Sequence, residues 1–286
     1  MACGVPMAHG AADAMKIFIT GIGGFLGGAL AAHLAARGHE VRGSRRSEMQ
    51  LGAPFDASVF AGTEVVIHCA HDFTAGARPR NVDGTRMWFD AAAAQGARLQ
   101  VLLSSYSARP GADSEYGQTK FEMERMFQTR LQTRLQTSLQ IVLRPGLVMG
   151  DGGLYRKQRA ALLRMPVVPV IGDGLQPTAV IRIEDFLEAA TVVIEGERTG
   201  AFNLFYEKQP SYRELVRAIK AEAGQRTIFV PIPAGLALAL ARAAEALHLP
   251  VPVKPGQIRA LMGNQSAPWR SDLAGLLPEA RAAPGS

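Results

Sequence analysis

The sequence predicts an α/β protein built on a doubly wound parallel sheet, with a smaller mixed lobe in the C-terminal half. Three observations support this prediction. Short apolar runs alternate with helical patterns through the first half of the chain. A glycine-rich turn, TGIGGFLG at 20–27, separates the first apolar run from the first helix. After Pro145 the composition changes, and Gly and Pro become frequent.

The predicted elements follow in regular order. Five strands are expected in the first half: KIFIT (16–20), HEVRGS (39–44), VVIHCA (65–70), LQVLLSS (99–105) and LQIVLRP (139–145). Helices are expected over residues 25–38, 82–95, 117 to about 136, 184–195 and 211–223. We therefore predict a disordered tail at 1–14, a nucleotide-binding domain at 15–150 and a substrate-binding lobe at 151–286. The two folded parts are interleaved, without a clean linker. The QTRL repeat at 128–140 places Leu131, Leu135 and Leu139 on one stripe and predicts a lengthened helix end without an assigned function.

Composition excludes several classes of function. Hydrophobic residues make up 48% of the 286 residues and charged residues 20%, as in ordinary globular proteins. The net charge of +6 is dispersed and no nucleic-acid motif accompanies it, so a phosphorylated small molecule is the simpler partner. The two cysteines, Cys3 and Cys69, offer neither a disulfide framework nor a metal site. With no signal peptide or membrane span in the sequence, we expect a cytoplasmic protein with no membrane partner.

The glycine turn predicts a dinucleotide site of Rossmann type. Gly21, Gly24 and Gly27 lie between a strand and a helix, where the motif requires them. Glycine allows the sharp turn and the close approach of a pyrophosphate, which the N-terminus of the helix then binds. Phe25 and Leu26, between the second and third glycines, are expected to contact the cofactor as well.

The end of the second strand predicts which dinucleotide binds. Arg favours a 2′-phosphate, whereas an acidic residue favours a free ribose hydroxyl. The segment VRGSRRS contains Arg42, Arg45 and Arg46, and no acid occurs before Glu48. We predict NADP(H) rather than NAD(H), with Arg45 as the main contact and Arg46 in support. A solvated basic turn is the alternative.

Tyr116 and Lys120 in YGQTK lie one helical turn apart. An ammonium beside a phenol favours the phenolate and lowers a pKa that is otherwise about 10. This pair suits proton transfer beside a hydride-transfer site. Many helices contain the spacing by accident, so the prediction depends on its place downstream of the glycine turn.

The motifs TGIGGFLG, VVIHCA, NVDGT, LLSS, YGQTK and LRPG, in this order, resemble the short-chain dehydrogenase/reductase superfamily. Within it, the chain is similar to the extended or atypical branch, the NAD-dependent epimerase/dehydratase family. The resemblance runs from Met15 to about Leu277. RIEDF (182–186) and GAFNLFYEKQPSYRELV resemble steps of that family's C-terminal lobe.

The resemblance implies catalytic roles for three residues. Tyr116 is the acid/base, Lys120 holds the nicotinamide ribose, and Ser105 hydrogen-bonds the reacting oxygen. Singly, the three could be a half-buried tyrosine, a surface lysine and a turn serine. Other cofactor contacts implied are Asp56 at the adenine, Cys69 and Ala70 beside His71 at the third strand end, and Pro145 and Gly146 at the nicotinamide. Asn81, which opens NVDGT, resembles the family's Asn near the catalytic strand ends. Asp56 could instead be a loop acid, Cys69 a small core residue, Asn81 a helix cap and Arg144 an ordinary strand-end charge.

The substrate pocket is predicted between the sheet edge and the second lobe, with Tyr106, Met149, Tyr155 and Arg182 as lining residues. Ile181, Arg156 and Lys157 lie nearby. Family dimers pair the helices after NVDGT and YGQTK, which makes a homodimer one expectation for this chain.

Two departures from the family's pattern narrow the range of reactions that we expect of this chain. Ser105 and Tyr116 are only eleven residues apart, and Tyr106 and Ser107 stand where dehydratases carry Asp-Glu. The leading prediction is therefore an NADP(H)-dependent oxidoreductase acting on a carbonyl/alcohol pair. A nucleotide-sugar epimerase with retained NAD is the alternative, although no uridine-diphosphate signature follows LRPG. A non-catalytic dinucleotide-binding sensor or assembly factor is the alternative from another class.

Overall fold

The computed structural model describes residues 13–129, 138–233, 235–239 and 270–278. Its main feature is a six-stranded, entirely parallel sheet in the order β2-β1-β3-β4-β5-β9. The strands are β1 (Lys16–Thr20), β2 (Glu40–Ser44), β3 (Val65–His68), β4 (Leu99–Leu103), β5 (Leu139–Pro145) and β9 (Gly200–Leu204). This sheet confirms the predicted doubly wound α/β fold.

Helices cover both faces of the sheet. They are α1 (Phe25–Ala36), α2 (Arg78–Ala94), α3 (Glu115–Thr129), α4 (Gly153–Arg164), α5 (Ile183–Glu195) and α6 (Tyr212–Glu222), with short helices at Ala57–Phe60 and Leu273–Leu276. Helices α1 and α5 pack together, as do α2 and α3. Alternate residues of β1 serve the two faces, with Ile17 and Ile19 in one apolar cluster and Phe18 in another. Burial on both faces explains why the strands read as continuous apolar runs.

The second half is less regular than the first. Two small parallel pairs, β10 (Ile228–Ile232) with β7 (Val167–Ile171) and β6 (Leu147–Met149) with β8 (Val180–Arg182), accompany the helices α4 to α6. The segment GAFNL, expected in the second lobe, instead forms β9 and extends the main sheet beside β5. The two halves of the chain therefore share one sheet.

Several predicted boundaries differ from the structure. Helix α2 begins at Arg78 rather than Val82, because Pro79 sits in the first turn, where its missing N–H costs nothing. Helix α4 was not predicted. Helix α6 begins after Ser211, which forms a capping box with Glu214. The predicted tail up to residue 12 and the repeat segment at 130–137 lie outside the described residues. Within the described ranges, no helix is both long and apolar enough to cross a lipid bilayer.

Candidate active site

The glycine turn is closed by contacts that leave no room for side chains. Gly21 has φ of +71°, and its N–H and that of Ile22 donate to the Ser44 carbonyl over 2.9 and 3.1 Å. A Cβ added to Gly27 would lie 2.5 Å from the Gly21 oxygen, and one on Gly21 would lie 2.9 Å from Cα of Ala70. The turn is thus a tight cradle of backbone at the carboxyl edge of the sheet, and it fits a dinucleotide pyrophosphate.

Helix α1 begins directly at this cradle. Gly24 is its N-cap and makes no side-chain capping bond. The Phe25 ring packs against Gly152 and Gly153 of the second half, and Leu26 packs against the main core. The side chains of Phe25 and Leu26 therefore serve packing, which leaves their backbone amides as the groups able to meet an anion.

Ser105, Tyr116 and Lys120 come together just beyond the end of β4. The Ser105 side chain is close enough to Tyr116 to lower the pKa of its phenol. Lys120 is buried and donates from Nζ to the Leu103 carbonyl over 2.7 Å, with Nζ 5.9 Å from the centroid of the Tyr116 ring. Oγ of Ser105 also lies 3.0 Å from Oγ of Ser107. The three predicted residues thus form one cluster, on the edge of the sheet that bears the glycine turn.

The ionisation of this cluster differs from the sequence-based prediction. Burial raises the pKa of Tyr116 to about 12, and the effect of the Ser105 side chain only partly offsets this rise. Burial also lowers the pKa of Lys120 to about 8, against the effects of Cys69 and Glu124. The expectation of a lowered tyrosine pKa is wrong for this structure, because desolvation is the largest influence on the phenol. Tyr116 is a neutral phenol at neutral pH.

Two aromatic side chains pack on Tyr116. The His71 ring meets the Tyr116 ring edge-on at 5.0 Å between centroids, and the Phe73 ring stacks on it at 5.8 Å. Phe73 is 80% exposed. Burial, and then Lys120, lowers the pKa of His71 to about 3, and its Nδ1 has no hydrogen-bond partner among the described residues. We did not predict Phe73, although its place four residues after Cys69 at the end of β3 was a usable signal.

The loop that carries these aromatic residues is held by Asn81 and Asp72. The Asn81 side chain accepts from the Asp72 N–H over 2.8 Å and donates to the Asp72 carbonyl over 2.9 Å. Hydrogen bonds from Thr74, and also from Arg80, hold the pKa of Asp72 well below its usual range. Asn81 lies inside α2, so the helix-cap alternative is wrong, and the residue serves to fix the loop.

The three arginines of the segment VRGSRRS lie in different environments. The Arg45 side chain runs along the glycine turn, its Cγ 3.5 Å from where a Cβ on Gly23 would lie. Glu48, the first acid, accepts from the Arg45 N–H at 2.8 Å. Arg46 is exposed and lies 3.6 Å from Asp72. Arg42 points elsewhere and donates to Thr63 over 2.8 Å.

The remaining predicted cofactor residues are placed as follows. The Asp56 side chain caps the short helix at Ala57–Phe60, where hydrogen bonds from Ser58 lower its pKa. Burial raises the pKa of the Cys69 thiol to about 12, so it is a neutral side chain packed on the core. A Cβ on Gly146 would lie 2.5 Å from the Ala179 oxygen, so this glycine, after Pro145, lets the second lobe approach the end of β5.

The predicted substrate residues are mostly packed. Tyr106 is buried and meets the Phe205 ring edge-on at 4.9 Å, and Met149 lies in the main core. Tyr155 is partly buried on α4, where desolvation raises its pKa. Arg182 precedes α5, and its Nε is buried without a hydrogen-bond partner among the described residues. Of these four side chains, Arg182 has the unused donor.

Arg144 corrects another expectation. It is only 8% exposed and pairs with Glu124, which is 2% exposed. The alternative of an ordinary strand-end charge is therefore wrong. The pair joins α3 to β5, and no spacing in the sequence reveals it.

The model of the NAD dependent epimerase/dehydratase family matches residues 17–204, which span the glycine turn and the Ser105, Tyr116 and Lys120 cluster. The chain belongs to this family. No curated protein matches the sequence.

Solved structures share the epimerase/dehydratase fold at low identity. The NAD dependent NDP-hexosamine 5,6-dehydratase TunA is 19% identical, with a TM-score of 0.64 over 87% of this chain and 97% of that chain. The dTDP-4-dehydrorhamnose reductase of Bacillus anthracis, in complex with NADP, is 17% identical, with a TM-score of 0.63 over 77% and 85%. The UDP-glucose 4-epimerase of Thermotoga maritima is 18% identical, with a TM-score of 0.61 over 87% and 98%.

Proposed function

We propose that this protein is an NADP(H)-dependent oxidoreductase that reduces a carbonyl compound to an alcohol. The observation that carries the proposal is the cluster of Ser105 and Tyr116 beside the buried Lys120, on the sheet edge that also bears the glycine cradle. Family membership supports a nicotinamide dinucleotide as cofactor. When bound, this cofactor supplies or accepts the hydride.

The residues divide the remaining work. Tyr116 gives its phenolic proton to the substrate oxygen as that oxygen gains negative charge. Ser105 donates a hydrogen bond to the same oxygen, and the Lys120 ammonium stabilises the phenolate left behind. Because Tyr116 is protonated at neutral pH, it is prepared to act as a proton donor.

NADP(H) is proposed as the preferred cofactor because Arg45 runs along the glycine turn. A guanidinium there suits a 2′-phosphate, and the nearby acid, Glu48, is occupied with the Arg45 backbone. Titration with NADPH and NADH checks this preference. Arg45→Ala should weaken NADPH binding about tenfold and NADH binding little. Arg86→Ala, an exposed arginine on α2 paired with Asp83, is the matched control.

The enzymatic proposal is tested with Tyr116→Phe, which removes one hydroxyl. Turnover of NADPH with a panel of ketones and aldehydes should fall by about 10²–10⁴-fold, while NADPH affinity is retained. Tyr212→Phe, at the start of α6, is the control and should keep full turnover. Wild-type turnover preserved in Tyr116→Phe would exclude this tyrosine as the acid. A complete lack of turnover in the wild type would favour the non-catalytic sensor.

A nucleotide-sugar epimerase is the second candidate, because epimerases share this family and fold. It would use the same tyrosine on a transient ketone and keep its cofactor bound. Mass spectrometry of the purified protein distinguishes the two candidates. Tightly retained NAD together with interconversion of UDP-glucose and UDP-galactose would favour the epimerase.

A further inference from the structure

Glu124 is a buried carboxylate at the centre of a compact polar network. Nε of Arg144 donates to both of its oxygens over 3.0 and 3.1 Å, and an NH2 group donates over 2.6 Å. The Ser104 hydroxyl donates to the same carboxylate. Each of these three side chains is less than one-tenth exposed.

The network joins the three elements that carry the candidate active site. Glu124 lies on α3, one turn after Lys120. Ser104 follows the last residue of β4 and directly precedes Ser105, and Arg144 lies in β5 directly before Pro145. Glu124 is therefore hydrogen-bonded to the residue before Ser105 and to the residue before Pro145. It also lies on the same face of α3 as Lys120.

A gain in folding stability is a weak explanation for the buried Glu124–Arg144 pair. Removing two charges from water costs free energy that their attraction often fails to recover, and apolar residues of similar volume frequently do as well. Glu124 is also placed where its negative charge acts on Lys120. Other polar groups face Lys120 from the surrounding elements: the Cys69 thiol, the His71 ring, the Tyr116 phenol and the Leu103 carbonyl.

Those surrounding side chains are uncharged near neutral pH. Burial raises the pKa values of Cys69 and Tyr116 to about 12 and lowers that of His71 to about 3. Burial lowers the pKa of Lys120 to about 8 and so threatens its charge. Cys69, and after it Glu124, oppose this loss, and Glu124 is the carboxylate of the two.

We propose that Glu124 is a positioning residue that keeps Lys120 protonated in its buried place, and that Arg144 limits how strongly it does so. The importance of this for catalysis rests on the proposed function, in which charged Lys120 supports Tyr116. The charge of Lys120 itself is measurable without any substrate.

Two substitutions should shift the pKa of Lys120 in opposite directions. Glu124→Gln removes the anion and should lower the pKa of Lys120 by about 1–3 units. Arg144→Met leaves the carboxylate without its guanidinium and should raise the pKa of Lys120. Both variants break the same buried pair and weaken the fold, so a merely structural role would move Lys120 the same way in both or not at all.

The measurement is an NMR titration of the lysine ammonium groups, in which Lys120→Met identifies the signal. Glu195→Gln is the control: it breaks the Arg37 to Glu195 pair of 2.8 Å between α1 and α5, and should leave the pKa of Lys120 unchanged. Shifts of the same sign in Glu124→Gln and Arg144→Met, or no shift in Glu124→Gln, would overturn the proposal.

A conservative variant protects the test against unfolding. Glu124→Asp keeps the negative charge and should hold the pKa of Lys120 near its wild-type value, so a fall of a full unit there would also overturn the proposal. The outcome is independent of the enzymatic test. Tyr116→Phe can keep or lose turnover without changing whether Glu124 sets the charge of Lys120.

Discussion

The glycine cradle offers a sharp test, because two adjacent glycines of α1 differ in the space around them. A Cβ on Gly27 would lie 2.5 Å from the Gly21 oxygen and 3.1 Å from the Gly21 carbonyl carbon. A Cβ on Gly28 would lie 3.1 Å from the Ile22 oxygen. Ordinary contacts begin at 3.4 Å. Gly27→Ala therefore pushes on the peptide that forms the cradle, whereas Gly28→Ala needs only a small adjustment.

The two free energies follow from this difference. Alanine in a helix gains about 1 kcal/mol over glycine. Overpacking costs about 1–3 kcal/mol, and the cost is at the upper end where the obstacle is backbone. We expect Gly28→Ala to be neutral or slightly stabilising, and Gly27→Ala to lose about 1–2 kcal/mol of unfolding free energy. In a chain of this length, that is a fall in Tm of roughly 2–4 °C.

The assay combines thermal unfolding with an NADPH titration of both variants. Gly27→Ala should lose at least about tenfold in NADPH affinity, since the cradle peptide is displaced, whereas Gly28→Ala keeps it. Equal NADPH affinity and equal Tm in the two variants would refute the cradle as the dinucleotide site.

Three further predictions concern other parts of the molecule. Burial lowers the pKa of His68 to about 4. The unfolded chain therefore binds a proton that the native state does not bind as the pH falls from about 6.5 to about 4, and stability should drop by up to about 1.4 kcal/mol per pH unit. In urea unfolding, the free energy of unfolding of His68→Gln should change less with pH than that of the wild type. Equal slopes against pH would contradict this prediction. Phe73→Ala should lower the pKa of Tyr116 from about 12, because it exposes the phenol, and ultraviolet titration against Tyr116→Phe reads this value. Lys220→Met should cost about 1–3 kcal/mol, since its buried ammonium donates to a carbonyl over 2.6 Å, with no change in NADPH affinity; wild-type Tm would count against it.

The sheet and the cluster of Ser105, Tyr116 and Lys120 were accessible from the sequence because both depend on local patterns. Apolar runs define the strands, and β5 was predicted with the bounds that the structure shows. Ser105 and Tyr116 converge because one follows a strand end and the other lies in the first turn of the next helix. Such placements follow from the order of elements in a parallel sheet.

The features that were missed depend on tertiary packing. The stacking of Phe73 on Tyr116 depends on the loop that Asn81 holds. The sequence shows that Phe73 follows β3, but not that its ring reaches Tyr116. The raised pKa of Tyr116 reflects desolvation by surrounding elements. The helical spacing to Lys120 does not reveal this burial. Helix α4 was missed because two glycines at its start, Gly152 and Gly153, read as loop.

The position of β9 has a consequence for how the chain acquires its fold during synthesis. β5 pairs with β9 only after β6, α4, β7, β8 and α5 have been made. Until Leu204 emerges, the growing chain carries a sheet whose β5 edge has unpaired backbone groups, and such edges invite pairing with other chains. A fragment cut near residue 150 would keep this open edge permanently. β9 thus covers the β5 edge of the sheet. The first half of the chain reaches its final structure only when most of the chain has been translated.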